Sequence, residues 1–498
     1  MLPMPKPRLL LLVPALLFFF FFSGQSPAQN YLERELNRFA SDPALKNASW
    51  GFCVIDIETG RTVVSRNEHQ ALVPASTQKL LTTASALMML GPDFRYQTSI
   101  GYSGQIDSSG ILLGDLIIKG SGDPSFGSTG MHDSLNLDQV FAAWLLTIKN
   151  AGIRQINGRV LADESVFDQE LIPRKWLWED MGNYFGAGAS GLTANENMYT
   201  VYFEAGNALG QAARVAMTEP VIAGMEFINQ VTTGTRGSGD QVYIFGAPYQ
   251  MQRTLTGTVP LGSSNFPVRG SIPDPPYFVA VAFSDYLSRN TISQNHPPLS
   301  HRRALQAGIE PAAEWQHLGF WTSPDLADIA AHTNLNSVNT FAENLLKTLG
   351  RNAGGQGNTA AGTEAVKEHW KKMGLDVDGM FLHDGSGLSP SNRITTYQLA
   401  RVLEITARQA FFDRFQQGLP LAGRSGSIAS SFRGTPSEGV LRAKSGFLAN
   451  VRSYAGYTKS SDGKTLAFAF IVNDYNGTPA SMREKMTRVM DAITRYNQ

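Results

Sequence analysis

The chain has 498 residues, 42% of them hydrophobic and 17% charged, which is the composition of a globular protein with room for two or three domains. Its 42 lysines and arginines balance its 42 aspartates and glutamates, so the formal net charge is zero. Nucleic acid is therefore not an expected partner, because phosphate binding needs clustered cations. The single cysteine, Cys53, excludes an internal disulfide and a metal cluster built on cysteines.

The first 28 residues have the pattern of a secretory signal peptide. Lys6 and Arg8 precede an apolar run over 9–22, and small residues follow up to Ala28. The run is short for a membrane span, which needs about 20 residues, so removal of the segment is favoured over a retained anchor. We expect an exported protein of the periplasm or cell envelope, with no integral membrane segment after the signal is removed.

The mature chain begins with a predicted helix, a hairpin and a second helix. The stretch 31–39 is helical in pattern, and 50–57 and 61–65 are typical of two strands joined by a turn. The segment 74–76 then opens a helix whose apolar residues recur at helical spacing.

The middle of the chain has a different pattern of apolar and turn-forming residues. Short alternating segments such as 112–118 are separated by glycine, serine, aspartate and proline. We interpret 96–299 as a mostly β accessory region inserted into the first domain. Two accessory domains are predicted, one of about 96–199 with 265–299 and the other of 200–264.

Helical patterns return after the inserted region, over 335–349 and 363–373. Three strands and a closing helix complete the chain, at 441–445, 452–458, 465–473 and 479–496. Both chain ends are thus predicted to form one antiparallel sheet covered by helices. This discontinuous domain takes 29–95 and 300–498.

Ser76 and Lys79 form the first of three short motifs that carry chemistry. At the start of a helix, backbone N–H groups and the helix dipole stabilise negative charge that develops on Ser76. Lys79 lies one turn later on the same face. It can remove the serine proton if burial or a second cation lowers its pKa. The alternative is that Ser76 only caps the helix.

Ser337 and Asn339 form the second motif. In the functional interpretation, Ser337 relays a proton toward the leaving group, while Asn339 hydrogen-bonds a substrate amide and the lysine. The alternative is a loop before a helix, with Asn339 as the helix cap.

The third motif, Lys444-Ser445-Gly446, falls on a predicted strand. Lys444 supplies the second cation and, with Ser445, faces a substrate carboxylate. Gly446 lets another backbone come close, so a peptide substrate can lie along this edge as an added strand. The N–H groups of Ser76 and Phe447 are expected to form the oxyanion hole. The alternative is an exposed turn lysine.

Together the three motifs predict acyl transfer on a serine without histidine or metal. They are the set found in class A β-lactamases and penicillin-binding proteins. The chain most closely resembles the class C low-molecular-mass penicillin-binding proteins, the D-alanyl-D-alanine carboxypeptidase/endopeptidase family. The resemblance runs across nearly the whole mature chain, in segments 73–79, 120–124, 178–184, 195–197, 384–389, 392–394 and 442–446. The long insertion is also similar. Ser445 stands where the family usually has threonine, and Val338 where it often has aspartate.

The resemblance implies an α+β fold, with a β-lactamase/transpeptidase-like catalytic domain made of an antiparallel sheet with helices on both faces. It implies a serine-type D-alanyl-D-alanine carboxypeptidase, with endopeptidase action as a further expectation. The implied partners are peptidoglycan stem peptides and, as covalent inhibitors on Ser76, β-lactam antibiotics. No cofactor or metal is implied.

Asp180 is a separate expectation from the same resemblance. In the family, the acidic residue of this Trp-Glu-Asp segment reaches from the inserted domain toward the amine of the peptide's diamino acid, and a carboxylate suits an ammonium group. The alternative is a solvated or capping loop residue.

Three other functions remain open from the sequence. One is a scaffold in which the inserted domains bind partners and the enzymatic core is incidental. A β-lactamase or esterase of the same fold would release a penicillin adduct rapidly. A non-catalytic wall-binding or penicillin-sensing protein commonly lacks a nucleophile or base, and both are present here.

Overall fold

The computed structural model describes residue 4 and residues 27–132 and 136–497. The predicted signal peptide lies outside these residues, except for residue 4 and the first two residues of the helix that begins at Pro27. No helix in the described part of the chain is both long and apolar enough to cross a membrane.

Within the described residues the α-helices are α1 Pro27–Ala40, α2 Gln78–Leu90, α3 Leu137–Asn150, α4 Pro275–Arg289, α5 His301–Gln306, α6 Leu326–Asn336, α7 Asn339–Asn352, α8 Thr359–Lys372, α9 Thr396–Ala407, α10 Phe412–Gln417 and α11 Pro479–Thr494. The strands are β1 Ser49–Asp56, β2 Thr62–Arg66, β3 Gln97–Tyr102, β4 Gln105–Ile106, β5 Ile111–Leu113, β6 Leu116–Lys119, β7 Gln155–Ile156, β8 Val160–Asp163, β9 Met198–Glu204, β10 Arg214–Glu219, β11 Glu226–Asn229, β12 Thr232–Gly234, β13 Gln241–Phe245, β14 Gln252–Pro260, β15 Phe266–Ser271, β16 Leu299–Ser300, β17 Gln316–Thr322, β18 Arg442–Leu448, β19 Val451–Lys459 and β20 Thr465–Asn473.

The two chain ends form one five-stranded sheet in the order β18-β19-β20-β1-β2, with every neighbouring pair antiparallel. Successive side chains of a strand point to opposite faces, and both faces are buried here. Phe52 and Val54 of β1 enter a core shared with α1 and α11. Cys53 and Ile55 enter another core shared with α2, α6, α7 and α9. The predicted sheet with helices on both faces is confirmed, and so is the burial of Cys53.

The inserted region is built from several sheets that share one hydrophobic core with α3 and α4. Its largest sheet has five strands in the order β16-β8-β6-β3-β17. Since β17 pairs with β3, this sheet continues beyond residue 299, where the accessory region was expected to end. The division into domains stays a prediction.

The alternating segment 112–118 contributes to two strands rather than one, and β5 and β6 belong to different sheets. Gly114 lies between them, and a Cβ there would come within 2.0 Å of the Ser103 carbonyl oxygen. The chain passes another backbone closely at this point, and only glycine allows that.

The predicted helix 335–349 is also wrong, because the chain breaks between α6 and α7. Ser337 has φ +61° and ψ +37°, the left-handed conformation that commonly ends a helix. A new helix then begins at Asn339. Helical spacing of apolar residues continues across the break, so periodicity could not reveal it.

Candidate active site

Ser76 lies in a 3-10 turn, Ala75–Thr77, directly before α2. The turn is anchored to the sheet because the Pro74 carbonyl accepts hydrogen bonds from Thr77 Oγ1, at 2.7 Å, and from Ser453 Oγ, at 2.5 Å. Ala75 has φ +46°, a conformation rare for alanine, which turns the chain at this point. The helix-cap interpretation of Ser76 is wrong, since its side chain does not cap this turn or α2.

Lys79 is fully buried, and its ammonium group contacts three neutral oxygens. Nζ lies 3.1 Å from Ser76 Oγ, 2.5 Å from Asn339 Oδ1 and 2.8 Å from the carbonyl oxygen of Ser386. Burial lowers the pKa of Lys79 to about 7, although the negative charges of Asp384 and Glu343 oppose the shift. A lysine with this pKa exists partly as the free amine near neutral pH and can act as a base.

Lys444, on β18, is the second fully buried lysine of the site. Its Nζ donates to Ser337 Oγ at 2.9 Å and to the Ser445 carbonyl at 2.7 Å. Burial and the charge of Lys79 both push the pKa of Lys444 well below its ordinary value. The interpretation of Lys444 as an exposed turn residue is wrong. The structure therefore brings together two lysines and two hydroxyls that are far apart in the sequence.

Asn339 is the first residue of α7 and does not cap it. Its side-chain carbonyl accepts the hydrogen bond from Lys79, and its amide donates to the Phe185 carbonyl at 2.7 Å. Phe185 belongs to the inserted region, so Asn339 ties the lysine to the loop that also carries Asp180. The cap interpretation of Asn339 is therefore wrong.

Two buried carboxylates beneath Lys79 complete the site. Glu343, one turn after Asn339 on α7, accepts hydrogen bonds from the backbone N–H groups of Gly385 and Ser386, at 2.9 and 2.8 Å. These bonds fix the loop whose Ser386 carbonyl contacts Lys79. Burial, reinforced by the charge of Asp384, raises the pKa of Glu343 to about 7. Glu343 was missed in the sequence, although its spacing of four from Asn339 places both on one helix face.

Asp384 organises the same loop. Its carboxylate accepts from Gln78 Nε2 at 3.0 Å, from Trp176 Nε1 at 2.8 Å and from the backbone N–H of Ser389 at 2.6 Å. These contacts hold the glycine-rich loop in place and add a negative charge beside Lys79.

Ser445, Gly446 and Phe447 form the edge of the sheet next to Ser76, because β18 is its outermost strand. A Cβ on Gly446 would lie 2.9 Å from the Ser76 backbone nitrogen, so the expected close approach of another backbone at this glycine is confirmed. Ser445 Oγ donates to Ser427 Oγ at 2.7 Å, a contact that no motif had indicated. The Phe447 side chain is exposed.

Asp180 lies in the inserted region, two residues after the exposed Trp178. Its side chain is half-buried and forms no hydrogen bond or ion pair with any other described residue. Burial and the charge of Glu179 raise the pKa of Asp180 to about 6. A half-buried carboxylate without a partner is available for a ligand.

Comparison with known proteins places this site in a family. Residues 32–495 match the sequence model of the D-Ala-D-Ala carboxypeptidase 3 (S13) family. The chain belongs to this family. Its resemblance to the class C low-molecular-mass penicillin-binding proteins and its expected enzyme class, a serine-type D-Ala-D-Ala carboxypeptidase, are thereby confirmed.

Two curated relatives of the S13 family are similar over most of their length. The D-alanyl-D-alanine carboxypeptidase of Actinomadura sp. is 29% identical over 477 residues, which are 93% of this chain and 83% of the relative. The D-alanyl-D-alanine carboxypeptidase DacB of Haemophilus influenzae is 25% identical over 456 residues, or 90% of each chain.

The fold is also found among solved structures. Penicillin-binding protein 4 (dacB) from Haemophilus influenzae matches with a TM-score of 0.78 and 22% identity, covering 95% of this chain and 100% of that protein. A second structure of that protein, in complex with a β-lactam, matches with a TM-score of 0.73 and 22% identity, covering 94% of this chain and 98% of that protein. The predicted fold class is confirmed.

Proposed function

We propose that this S13-family enzyme hydrolyses the terminal D-Ala-D-Ala bond of peptidoglycan stem peptides through an acyl-enzyme on Ser76. One observation carries the assignment of roles. Two fully buried amines each contact a hydroxyl, Lys79 with Ser76 at 3.1 Å and Lys444 with Ser337 at 2.9 Å.

In acylation, Ser76 Oγ attacks the carbonyl of the penultimate D-Ala and Lys79 accepts the serine proton. The backbone N–H groups of Ser76 and Phe447 stabilise the negative charge that develops on the carbonyl oxygen. The amide C–N bond then breaks, and Ser337 passes a proton to the departing amine. Its hydrogen bond from Lys444 supplies the replacement proton. Water finally hydrolyses the ester on Ser76.

The carboxylate of the terminal D-Ala binds Lys444 and Ser445 in this proposal. Without substrate, burial and the charge of Lys79 hold the pKa of Lys444 well below its ordinary value. An anionic substrate adds an opposite charge and favours the ammonium form, so carboxylate binding and protonation of Lys444 support each other. The peptide lies along β18 from Lys444 onward, where the edge accepts an added strand. Before that point the edge is occupied, because the Ala443 N–H donates to the Pro420 carbonyl at 2.9 Å.

Asp180 binds the side-chain ammonium of the diamino acid that precedes the two D-Ala residues. Its carboxylate forms no hydrogen bond or ion pair with another residue in the described part of the chain, and the link from Phe185 to Asn339 holds its loop beside the catalytic helix. Burial raises its pKa, and an arriving ammonium group would lower it again.

Export to the periplasm or cell envelope, where peptidoglycan lies, is the localisation that the N-terminal sequence pattern supports.

The test is mass spectrometry of the intact protein after incubation with penicillin, followed by peptide mapping. We expect one stable adduct on Ser76 and none in Ser76→Ala. Rapid turnover of the adduct would instead support a β-lactamase, and labelling of another residue would contradict the assignment of Ser76.

Ser85→Ala is the matched control, because Ser85 lies on the same helix and accepts a hydrogen bond from the buried Trp370 Nε1 at 2.8 Å. Loss of this bond should lower the free energy of unfolding by about 1–2 kcal/mol while the adduct on Ser76 still forms.

A further inference from the structure

A cavity of about 390 Å³ opens beside Ser337 and Asn339, between α6, α7 and the inserted region. Its wall from the inserted region includes Tyr184, Glu196 and Arg269. The carboxylate site at Lys444 and Ser445 does not line it. The cavity therefore adjoins the hydroxyl that acts on the leaving group without being the place where a terminal carboxylate binds.

Arg269, on β15, presents its guanidinium group to this cavity. Its guanidinium lies 4.2 Å from the centre of the Tyr184 ring, which holds it by a cation–π contact. Among the described residues, it donates no hydrogen bond and forms no ion pair. By contrast, Arg214 on β10 of the same sheet pairs with Glu204. A guanidinium carries five N–H donors in a planar fork that matches a carboxylate.

Glu196 does not satisfy Arg269, because its carboxylate is committed elsewhere. It accepts from Ser128 Oγ at 2.7 Å and lies 3.6 Å from His332 Nε2. Burial alone would raise the pKa of Glu196, but His332 and Ser128, with a smaller contribution from the charge of Arg269, hold it below its ordinary value. Arg269 thus acts on Glu196 through its charge and not through a hydrogen bond or contact ion pair. Among the described residues that line the cavity, Arg269 offers a guanidinium without a hydrogen bond or contact ion pair, and His332 Nε2 is a further buried nitrogen without a hydrogen-bond partner.

We propose that this cavity binds the leaving peptide of a cross-linked substrate, and that Arg269 pairs with a carboxylate of that peptide. The inference rests on the proposed function. A terminal D-Ala has one carboxylate, which Lys444 and Ser445 bind. In a cross-link, the departing amine belongs to a second stem peptide with further carboxylates. Since Ser337 protonates that amine and lines the cavity, the rest of the leaving peptide has direct access to Arg269.

The covalent step is the one already described. The amide C–N bond breaks, the acyl group stays on Ser76 Oγ, and the amine of the second peptide leaves with the proton from Ser337. Arg269 touches neither reacting atom and acts as a specificity-determining residue for endopeptidase action.

The experiment compares Arg269→Met with the wild-type enzyme on a stem pentapeptide and on a D-Ala cross-linked dimer. We expect the ratio of cross-link cleavage to terminal D-Ala release, each as kcat/KM, to fall about tenfold. Arg269→Lys should recover part of the loss, because it restores the charge without the fork. Arg214→Ala, on the same sheet, should leave the ratio at the wild-type value.

A dimer whose leaving peptide has amidated carboxyl groups tests the chemistry of the contact. It should be cleaved equally by the wild type and Arg269→Met. Equal losses on pentapeptide and dimer, an unchanged ratio, or a loss that persists on the amidated dimer would each overturn the inference.

The wild-type enzyme and its penicillin adduct separate the two proposals. Release of D-Ala without any cleavage of the dimer overturns the inference and leaves the proposed function standing. Absence of both activities together with absence of an adduct on Ser76 overturns the proposed function itself.

Discussion

The surroundings of Asp274 and the active site both bury charged side chains, but they compensate those charges differently. In the inserted region, the buried Asp274 pairs directly with Arg302 and Arg303, at 2.9 and 2.7 Å. In the catalytic domain, Lys79 and Lys444 form no contact ion pair with any described residue and meet only neutral oxygens.

The difference separates a charged group that stabilises the fold through an ion pair from charged groups that can exchange protons. An ion pair in contact compensates desolvation and keeps both groups ionised. A buried ammonium among neutral oxygens keeps much of the desolvation cost, so its pKa falls toward the range where it can exchange protons. Lack of a contact ion partner does not by itself mark a functional group, because the buried Asp123, Glu164 and Arg253 form no ion pair within the described residues either. Lys79 and Lys444 differ from them because each also contacts a hydroxyl, that of Ser76 and that of Ser337.

The largest expected effect compares two buried lysines. Lys79→Met should slow penicillin acylation about 10²- to 10⁴-fold, the size of a general-base contribution. Lys347, buried on α7, forms a contact ion pair with Asp168 at 2.8 Å. Lys347→Met should instead lower the free energy of unfolding by about 2 kcal/mol and leave the acylation rate of folded protein near the wild-type value. Stopped-flow kinetics measure the acylation rate, and urea unfolding measures the free energy of unfolding. Equal losses of acylation rate in Lys79→Met and Lys347→Met would contradict the assignment of Lys79 as the base.

A smaller effect is expected at Asp180. Asp180→Asn should reduce kcat/KM about tenfold for a pentapeptide whose third residue carries a side-chain amine, since a charge-assisted hydrogen bond is lost. A pentapeptide with norleucine at that position should show no such loss. The adjacent exposed residue provides the control, Glu179→Gln. If both pentapeptides lose equally, Asp180 only supports its loop.

The smallest effect is a displacement of a pH profile. Because the free amine of Lys79 is the active form, acylation should rise with pH through about 7 and then level off. Glu343 raises the pKa of Lys79, so Glu343→Gln should move this limb to lower pH, by less than about one unit.

Glu164 is the matched control for that profile. It is buried in the inserted region, burial raises its pKa to about 7, and it accepts backbone hydrogen bonds from His301 and Arg302. Glu164→Gln should leave the profile in place. A limb that moves to higher pH in Glu343→Gln would contradict the assignment of Lys79 as base.

The sequence predicted the parts of the site that combine a reactive residue with a regular spacing. Ser76 and Lys79 are one turn apart, and Lys444 lies on a strand with a clear pattern, so motif and element agreed. The conformation of Ser337 could not be predicted, because its left-handed φ ends α6 without a glycine.

Other contributions depend on contacts between distant segments. The Ser386 carbonyl that holds Lys79 is a backbone group and leaves no mark in the sequence. In the sequence, Glu343 cannot be distinguished from a glutamate on an exposed helix surface. It is buried because the loop 384–386 covers it. In the inserted region, the alternating pattern of 112–118 did not reveal the break between β5 and β6. The break depends on the close approach of Gly114 to Ser103, which lies outside that segment.

The place of β1 in the central sheet has a consequence for biosynthesis. Its neighbour β20 pairs Cys53 with Ala469, so a strand made near the start of translation waits for one made near the end. Such long-range pairing is slow to form. A nascent or truncated chain that stops before Thr465 lacks this partner for the strand that precedes Ser76. The strand that leads to Ser76 therefore gains this central-sheet neighbour only after residues 465–473 have been made.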